Sequence, residues 1–288
     1  MAITISSNAA SLRTAQSLSV ASNSLKGSFE RLSSGLRIRW AKDDVAGFSI
    51  STRMETRIRD QNQALQNVGD AIAMTQIADA GLKEGAQVMQ RMWELAVQAA
   101  NGTYGATDRQ SLDDEFSQLK TQLEQLASHT EYNGQKLLDG SMSGKKIQIG
   151  GTDAATSTLE WLSVDARAAQ LTQPEAVYSA WWNTTGGTSP SILTQEQAEQ
   201  AIGDLSTAIN SIATQRTRIG SFETRLQSIQ SNLQQASVET STALSKIRDA
   251  DMAHETASLA SNTIIQNATT AILAQANQQP ALAMKLFS

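Results

Sequence analysis

Two adjacent carboxylates, Asp43 and Asp44, lie in a stretch that also carries Arg37, Arg39 and Trp40. Paired carboxylates suggest acid–base catalysis, clustered arginines suggest phosphate binding, and an isolated tryptophan suggests a platform for a ligand. Carboxylates adjacent in sequence rarely converge on one substrate. We therefore interpret the stretch as a packed connection between helices and not as an active site.

His254 and Glu255 begin the H-E-x-x-H pattern with which some metallopeptidases bind zinc. The second histidine position holds Ser258, and the only other histidine of the chain is His129. A zinc site of that kind is therefore excluded. The chain also lacks a glycine-rich phosphate loop and a nucleophile elbow. We expect a protein that is not an enzyme and uses no cofactor.

The composition argues against several classes of partner. A net charge of −5 and a pI near 5.2 disfavour a nucleic-acid-binding face. The absence of cysteine excludes disulfides and thiolate metal sites. Residues 256–284 carry no charge, but 13 of these 29 residues are Ser, Thr, Asn or Gln, so membrane insertion is not expected. The first residues do not resemble a conventional secretory signal.

Long helices are predicted almost throughout, because only three prolines occur and none precedes Pro174. Towards the C-terminus, small or apolar residues recur at alternating steps of three and four, which is a heptad seam. Its members are Ile212, Ile219, Phe222, Leu226, Ile229, Leu233, Ala236, Ala243, Ile247, Ala250, Ala257, Ile264, Ala268 and Ala271. The seam predicts one helix over residues 197–277, roughly 120 Å long. It also places His254 on the packed face.

The N-terminal half supplies three further apolar stripes. They comprise Ile5, Leu12, Leu18, Leu25, Phe29 and Leu32; then Met54, Ile58, Leu65, Val68, Ile72, Leu82, Met89, Trp93 and Ala96; then Leu112, Phe116, Leu119, Leu123 and Leu126. Ser33-Ser34-Gly35 signals the end of the first helix. Residues 131–134 predict a turn. Residues 145–149 alternate like a strand and can pair with residues 158–164 as a hairpin.

The predicted fold class is mainly α. It is an elongated antiparallel helical bundle or coiled coil with paired N- and C-terminal helices, one β-hairpin and a short surface excursion. The predicted domains are a terminal coiled-coil core of residues 1–44 plus 249–288, a helical bundle of residues 45–170 plus 197–248 with a hairpin at about 144–165, and a variable surface segment of residues 171–196. Because the chain ends have few charges and little apolar bulk, we expect them to need assembly partners.

Several motifs are similar to those of bacterial flagellins. They are RLSSGLRI at 31–38, AKDD at 41–44, MQRMWELAVQAANGT at 89–103, TEYNGQKLLDG at 130–140, ALSKIRDADMAHE at 243–255 and AILAQANQQP at 271–280. The resemblance covers roughly residues 1–165 and 197–288. It implies a structural subunit of the flagellar filament whose terminal domain lines the inner tube.

The resemblance also implies a route and a set of partners. Flagellins are exported unfolded through the flagellar type III secretion channel and polymerise outside the cell for swimming motility. The implied partners are other copies of the chain, the flagellar cap, hook-junction proteins and an export chaperone. The implied location is therefore extracellular, in the bacterial flagellum.

The resemblance makes the stretch that contains Asp43 and Asp44 an inter-domain connector. Its remaining members are Arg37, Arg39 and Trp40. The alternation from Leu36 to Trp40 predicts an extended segment with apolar and basic side chains on opposite sides. We predict that Trp40 is buried against a neighbouring helix, of this chain or of another subunit, and binds no ligand.

Three positions match those with which many flagellins contact a Toll-like receptor: Arg91, Leu95 and Glu115. Trp93 stands where the motif often has a further arginine, so the chain departs from the pattern at that position. We interpret Trp93 as a member of the helix seam with Met89 and Ala96.

Residues 165–196 lose all periodicity and contain Trp181-Trp182. This pair can form a carbohydrate-stacking surface or an apolar anchor for a loop, and anchoring is favoured because exposed tryptophans promote association. By resemblance, five hydroxyls are candidate O-glycosylation sites: Thr184, Thr185, Thr188, Ser189 and Ser191.

Two other functions stay open at this point. One is a hook–filament junction protein, which has the same layout at its two ends, although residues 41–44 and 271–280 are more similar to flagellin. The other is a surface-displayed flagellin homologue that acts as a carbohydrate-binding protein or adhesin through Trp181-Trp182.

Overall fold

The structure is a computed structural model that describes residues 8–142, 144–150, 157–162 and 191–287, with the side chains described up to residue 278. Within these ranges the helices are α1 (Ala9–Ser34), α2 (Val45–Ala100), α3 (Ala106–His129), α4 (Gln195–Arg248) and α5 (Met252–Phe287). The strands are β1 (Glu131–Tyr132), β2 (Gln135–Lys136), β3 (Lys146–Gln148) and β4 (Thr158–Glu160). The predicted class, a mainly α fold with a small antiparallel hairpin, is confirmed.

The chain forms two compact units. The terminal unit comprises Met1–Ile58 and Val238–Ser288, and the central unit comprises Arg59–Ser237. The boundaries fall inside α2 and α4. The domain limits predicted for the assembled filament stay a prediction.

In the terminal unit, α1 and α5 run antiparallel. The Asn8 side chain accepts a hydrogen bond from the Ser11 amide at 3.0 Å, as an N-cap does, and donates one to the Ala276 carbonyl at 2.8 Å. At the other end, Gly35 has φ +71° and its amide donates to the Arg31 carbonyl at 2.8 Å. Glycine adopts this left-handed conformation without steric cost, so α1 ends where Ser33-Ser34-Gly35 predicts.

The single helix predicted over residues 197–277 is wrong, because α4 ends at Arg248 and α5 begins at Met252. Leu36 forms a β-bridge with Asp249, and the Ala250 amide donates to the Gly35 carbonyl at 2.9 Å. The backbone groups near the break are thus hydrogen-bonded to the connector instead of to a continuing helix. Asp251 then restarts the helix, since its carboxylate accepts from the Ala253 amide at 2.9 Å.

The core of the central unit lies between α2, α3 and α4. Its largest fully buried side chains include Met89, Met92, Phe116, Leu205 and Ile212. Met89, Phe116 and Ile212 belong to the predicted apolar stripes, whose repeat near 3.6 residues explains why each helix buries one face.

The predicted hairpin is present as β3–β4, and it covers part of this core. Ile147 pairs with Leu159 across the two strands. Leu159 and Trp161 are both buried, and the Trp161 ring meets Phe222 of α4 edge to face, with centroids 5.8 Å apart and an interplanar angle of 81°. The hairpin therefore adds an aromatic contact to the helical core.

A charged contact aligns α2 with α4 in the central unit. The Arg216 guanidinium donates to both carboxylate oxygens of Asp79, at 2.8 and 3.1 Å. These hydrogen bonds raise the pKa of Arg216, and the ion pair stays more than a third exposed. A bidentate arginine–carboxylate pair has strict geometric requirements, so its main role is to orient the two helices.

β1 and β2 are joined by the tight turn Asn133-Gly134, in which both residues have positive φ, +48° and +73°. Such two-residue turns match the twist of an antiparallel pair, and glycine tolerates them best. Gly134→Ala is expected to lower the free energy of unfolding by about 1 kcal/mol. Urea unfolding of the monomer measures it.

Gly69→Ala is a matched control for that substitution. Gly69 lies inside α2 with a negative φ, and a Cβ atom at this position would meet no neighbouring atom within 4 Å. This exchange is expected to stabilise the protein by up to about 1 kcal/mol, because alanine favours helix. Equal effects of the two substitutions would contradict the assigned turn geometry.

Candidate functional site

The connector predicted between helices is a non-helical segment held against the end of α4. The amides of Arg37 and Ile38 donate to the Arg248 carbonyl at 2.7 and 3.3 Å, and the Arg37 guanidinium donates to the Ile247 carbonyl. Ile38 is fully buried. The Arg39 guanidinium lies 2.8 Å from the Glu30 carboxylate, and its hydrogen bond lowers the pKa of Glu30. The arginines of this segment thus bind groups of the chain itself.

Asp43 and Asp44 act separately on the backbone. Asp43 Oδ2 accepts from the amides of Arg39 and Trp40, both at 3.2 Å, and these backbone hydrogen bonds lower the pKa of Asp43. Asp44 Oδ1 accepts from the Gly47 amide at 2.9 Å at the start of α2. One carboxylate closes a turn and the other caps a helix. Their arrangement supports the interpretation as a connection and not as a catalytic pair.

Trp40 is not buried within the chain, because 60% of its surface is exposed. The predicted alternation holds from Leu36 to Arg39, and the backbone then enters the turn closed by Asp43. A side chain on a turn no longer follows the period of an extended strand. Burial of Trp40 against this chain is therefore wrong, and its burial against another subunit stays a prediction.

The contact between α1 and α5 is a heptad seam built largely from polar and small residues. The sheltered face of α1 comprises Ser11, Thr14, Leu18, Ala21, Leu25, Ser28 and Leu32, and that of α5 comprises Glu255, Leu259, Asn262, Gln266, Thr269, Leu273 and Ala276. Both sets alternate steps of three and four, as a two-helix contact requires. Few of these side chains have enough apolar surface to hold the pair together.

Seven other bulky apolar residues of the same helices are exposed outside this seam. The outward faces carry Leu12, Val20 and Phe29 on α1 and Met252, Ile264, Ile265 and Ile272 on α5, and these side chains are 48–71% exposed. Monomeric proteins rarely expose so many large apolar side chains along paired helices. The outward faces are therefore the candidate functional surface of the terminal unit.

The predicted register of the C-terminal seam is wrong beyond residue 250. His254 and Ile264 are exposed, whereas Glu255 is buried. The prediction extended the heptad repeat of α4 into α5 without allowing for the break between the two helices. Since α5 starts afresh at its Asp251 cap, its sheltered positions are shifted relative to that repeat.

Of the three positions matched to receptor contacts, two meet on the surface of the central unit. Arg91 Nε and Nη2 donate to Glu115 at 3.0 and 2.8 Å, and Arg91 Nη1 donates to Glu94 at 3.1 Å. The hydrogen bonds, that with Glu115 first, raise the pKa of Arg91. Leu95 instead lies in the core with 1% of its surface exposed.

Trp93 is 40% exposed, so its predicted place in the helix seam is wrong. Met89, Met92 and Ala96 have no exposed surface and form the buried face, with steps of three and four. Trp93 follows Met92 by one residue, which turns it about 100° away from that face. An aromatic ring is therefore partly exposed on the surface of α2.

Most of the predicted surface excursion lies outside the described residues, including Trp181-Trp182 and the candidate glycosylation sites Thr184, Thr185, Thr188 and Ser189. Ser191 is described, and its hydroxyl accepts from the Leu193 amide at 3.3 Å. The next residue, Ile192, is fully buried, and its amide donates to Asp113 of α3 at 2.7 Å. The chain thus returns to the core of the central unit immediately after Ser191.

Among the described residues, no three His, Cys, Asp or Glu side chains are grouped closely enough to hold a metal ion. None of the described helices has an apolar stretch of the length needed to cross a membrane.

Comparison with known proteins identifies the family. Residues 5–143 match the family described as "Bacterial flagellin N-terminal helical region", and residues 202–287 match "Bacterial flagellin C-terminal helical region". Flagellin FlaB2 of Treponema pallidum (strain Nichols) is 35% identical over 260 residues, covering 88% of this chain and 89% of the relative. A flagellin of Halalkalibacterium halodurans is 34% identical over 283 residues, covering 98% and 99%.

A solved structure is similar in fold alone. The putative flagellar hook-associated protein of Vibrio parahaemolyticus has a TM-score of 0.56 at 13% identity, covering 72% of this chain and 100% of that one. The two family matches and the relatives that span nearly the whole chain lead to one conclusion: this protein belongs to the bacterial flagellin family.

Proposed function

We propose that this chain is a structural subunit of a bacterial flagellar filament and has no enzymatic activity. Membership of the flagellin family supports this proposal, and one relative, from Treponema phagedenis, is a "Flagellar filament 33 kDa core protein". The observation that carries it is the inverted packing of the terminal unit. Its seam shelters nine polar or small residues and five leucines, while its outward faces present further large apolar ones.

The inverted packing fits a surface that is completed by copies of the same chain. Burial of apolar area contributes about 25 cal/mol per Å², so an isolated α1–α5 pair forgoes much of the stabilisation its apolar residues can provide. Neighbouring subunits that cover the outward faces would recover it. Such a helix pair is weakly ordered alone and becomes ordered on assembly.

We extend the proposal to export and location. Terminal helices that gain their stability only on assembly suit a chain that travels unfolded through a type III channel and assembles at the outer end of a flagellum for swimming. No cysteine is present to form disulfides that would hinder such passage. The cap, the hook-junction proteins and an export chaperone remain predicted partners. Recognition by a Toll-like receptor stays a prediction that depends on Arg91 and Glu115 at the surface.

Seeded growth tests the proposed function. Purified monomers are expected to elongate short filament fragments of the same protein above a critical concentration, as followed by light scattering and electron microscopy. A chain truncated to the central unit, Arg59–Ser237, is the control that lacks the outward faces, and it should not elongate the seeds. Full-length monomers that stay monomeric in the presence of seeds would refute the filament role.

A further inference from the structure

The link between α2 and α3 contains one of the two Asn-Gly sequences of this chain, which are Asn101-Gly102 and Asn133-Gly134. An asparagine that precedes a glycine can lose its side-chain amide when the glycine nitrogen attacks the side-chain carbonyl carbon. Glycine permits this approach because it has no Cβ atom to obstruct it. Both sequences are exposed to solvent. The two sites therefore share one chemistry and differ in the structure that surrounds them.

The backbone of Asn133 holds the two reacting atoms apart. Asn133 has φ +48°, in the left-handed region where ψ is roughly +50°. In this region Cβ lies close to the carbonyl oxygen of its own residue, so the nitrogen of the same peptide group points away from the side chain. Attack requires that nitrogen and Cβ to lie on the same side, so that a ring can close. The hairpin turn therefore protects Asn133.

The Asn101 side chain is instead held across the peptide group that would attack it. Its Oδ1 atom accepts a hydrogen bond from the Thr103 amide at 3.2 Å. This bond closes a ring that encloses the peptide group between Asn101 and Gly102. When the Gly102 nitrogen adds to the side-chain carbonyl carbon, Oδ1 takes up negative charge. The Thr103 N–H is placed to stabilise that charge.

Two further donors stabilise the anion from which the reaction starts. The Gly102 nitrogen attacks after hydroxide removes its proton, and the resulting charge is shared with the Asn101 carbonyl oxygen. That oxygen accepts from Arg109 Nη2 at 3.2 Å and from the Tyr104 amide at 3.3 Å. A charged donor such as a guanidinium favours an anion more strongly than a neutral one. Among the described residues, the Gly102 amide has no hydrogen-bond acceptor, which leaves its proton open to hydroxide.

We propose that Asn101 is a site of spontaneous deamidation, promoted by these three hydrogen-bond donors. The Gly102 nitrogen forms a bond to the side-chain carbonyl carbon of Asn101, and the bond from that carbon to Nδ2 breaks. Nδ2 leaves as ammonia after taking a proton from water, which returns the hydroxide. A water molecule then opens the cyclic imide to aspartate or isoaspartate. No other reactant is needed, so the modified fraction rises with the time since synthesis, inside or outside a filament.

The modified link keeps a cationic partner. Either product adds a negative charge, and isoaspartate also lengthens the main chain by a methylene group. Arg109 ties this link to the end of α2, since its Nε donates to the Ala99 carbonyl at 2.9 Å. The new carboxylate forms close to this guanidinium, where the two can form an ion pair. The modification is therefore expected to accumulate in a folded central unit.

Mass spectrometry of peptides from the full-length monomer, sampled during incubation at mildly alkaline pH, tests the proposal. In the folded protein, conversion at Asn101 is expected to be at least about tenfold faster than at Asn133. In guanidinium chloride neither backbone is held, and the two rates should agree within about threefold. Equal rates at the two sites in the folded protein, or no conversion at Asn101, would overturn the proposal.

Gly102→Ala is the variant that obstructs the attack while the fold is kept. A Cβ atom at this position would come no closer than 3.9 Å to a neighbour, Gln195 Oε1, and Gly102 is not among the glycines with positive φ. This exchange should slow conversion at Asn101 by at least about tenfold. The rate at Asn133 should stay as in the parent.

Arg109→Gln tests the role of the guanidinium. Conversion at Asn101 should slow by at least about threefold in the folded protein, and should not change in guanidinium chloride. Arg109→Lys keeps the charge and should retain more of the parent rate. Lys83→Gln is the control, because it removes an exposed charge from another part of α2. Conversion in folded Arg109→Gln as fast as in the parent, or faster, would show that the donors around Asn101 do not promote the reaction.

Discussion

Phe116→Ala is expected to lower the free energy of unfolding of the monomer by about 3–5 kcal/mol. Phe116 is 1% exposed and lies in the core of the central unit, where α3 packs against α2 and α4. Replacing its ring leaves a cavity that the surrounding helices cannot fill without losing contacts of their own. Urea unfolding followed by circular dichroism measures the change. An unchanged dependence of the unfolding free energy on urea concentration would indicate that the same amount of surface is exposed on unfolding.

Phe29→Ala is the matched control in the terminal unit. The same exchange at this exposed position should change monomer stability by no more than about 0.5 kcal/mol. It should nevertheless raise the critical concentration for seeded growth, because Phe29 belongs to the outward faces. A large loss of monomer stability from Phe29→Ala, or none from Phe116→Ala, would show that the core has been assigned to the wrong part of the chain.

The buried helices of the central unit were predictable from the sequence because their own core determines which residues repeat. Met89, Phe116 and Ile212 each lie in an apolar stripe of helical period, and each is buried. The hairpin was predictable for a similar reason, since alternation over residues 145–149 reports a strand with one covered face. Local pattern and tertiary packing agree in this unit.

The terminal unit was less predictable because only some of its large apolar residues, such as Leu18, Leu25 and Leu32, mark its internal contact. Ile264 belongs to the predicted seam and is exposed, whereas the helix pair shelters Glu255 and Thr269. A signal was present in Asp251, since aspartate is favoured as an N-cap and interrupts a continuous heptad. A stripe that faces other subunits cannot be told from a core stripe by its period alone.

The candidate site shows the same division. The hydrogen bonds made by Asp43 and Asp44 follow from local geometry. Both residues precede α2, which is where the sequence predicts a connection between helices. The positions of Trp40 and Trp93 do not follow, because a change of one residue in phase moves a side chain from the core to the surface. Both tryptophans remain available for contacts with another molecule.

Ile264→Ser combined with Ile272→Ser is expected to abolish most filament growth while leaving the central unit folded. The two side chains are more than half exposed, and burying an isoleucine contributes about 1.5–3 kcal/mol. Both isoleucines would bury their exposed surface on assembly, and losing that burial should weaken subunit addition by about 2–4 kcal/mol. The critical concentration then rises by a factor of about 30 or more. Sedimentation of seeded reactions over a range of monomer concentrations measures this quantity.

Ile264→Val combined with Ile272→Val supplies the graded control. Each exchange removes one methylene group, worth about 0.8 kcal/mol when fully buried, so the critical concentration should rise by less than about tenfold. The central unit should unfold at the same urea concentration in both double variants, as followed by circular dichroism, since neither residue belongs to its core. If the serine variant polymerised as well as the valine variant, the outward face of α5 would not be covered in the filament, and the inverted packing of the terminal unit would need another partner.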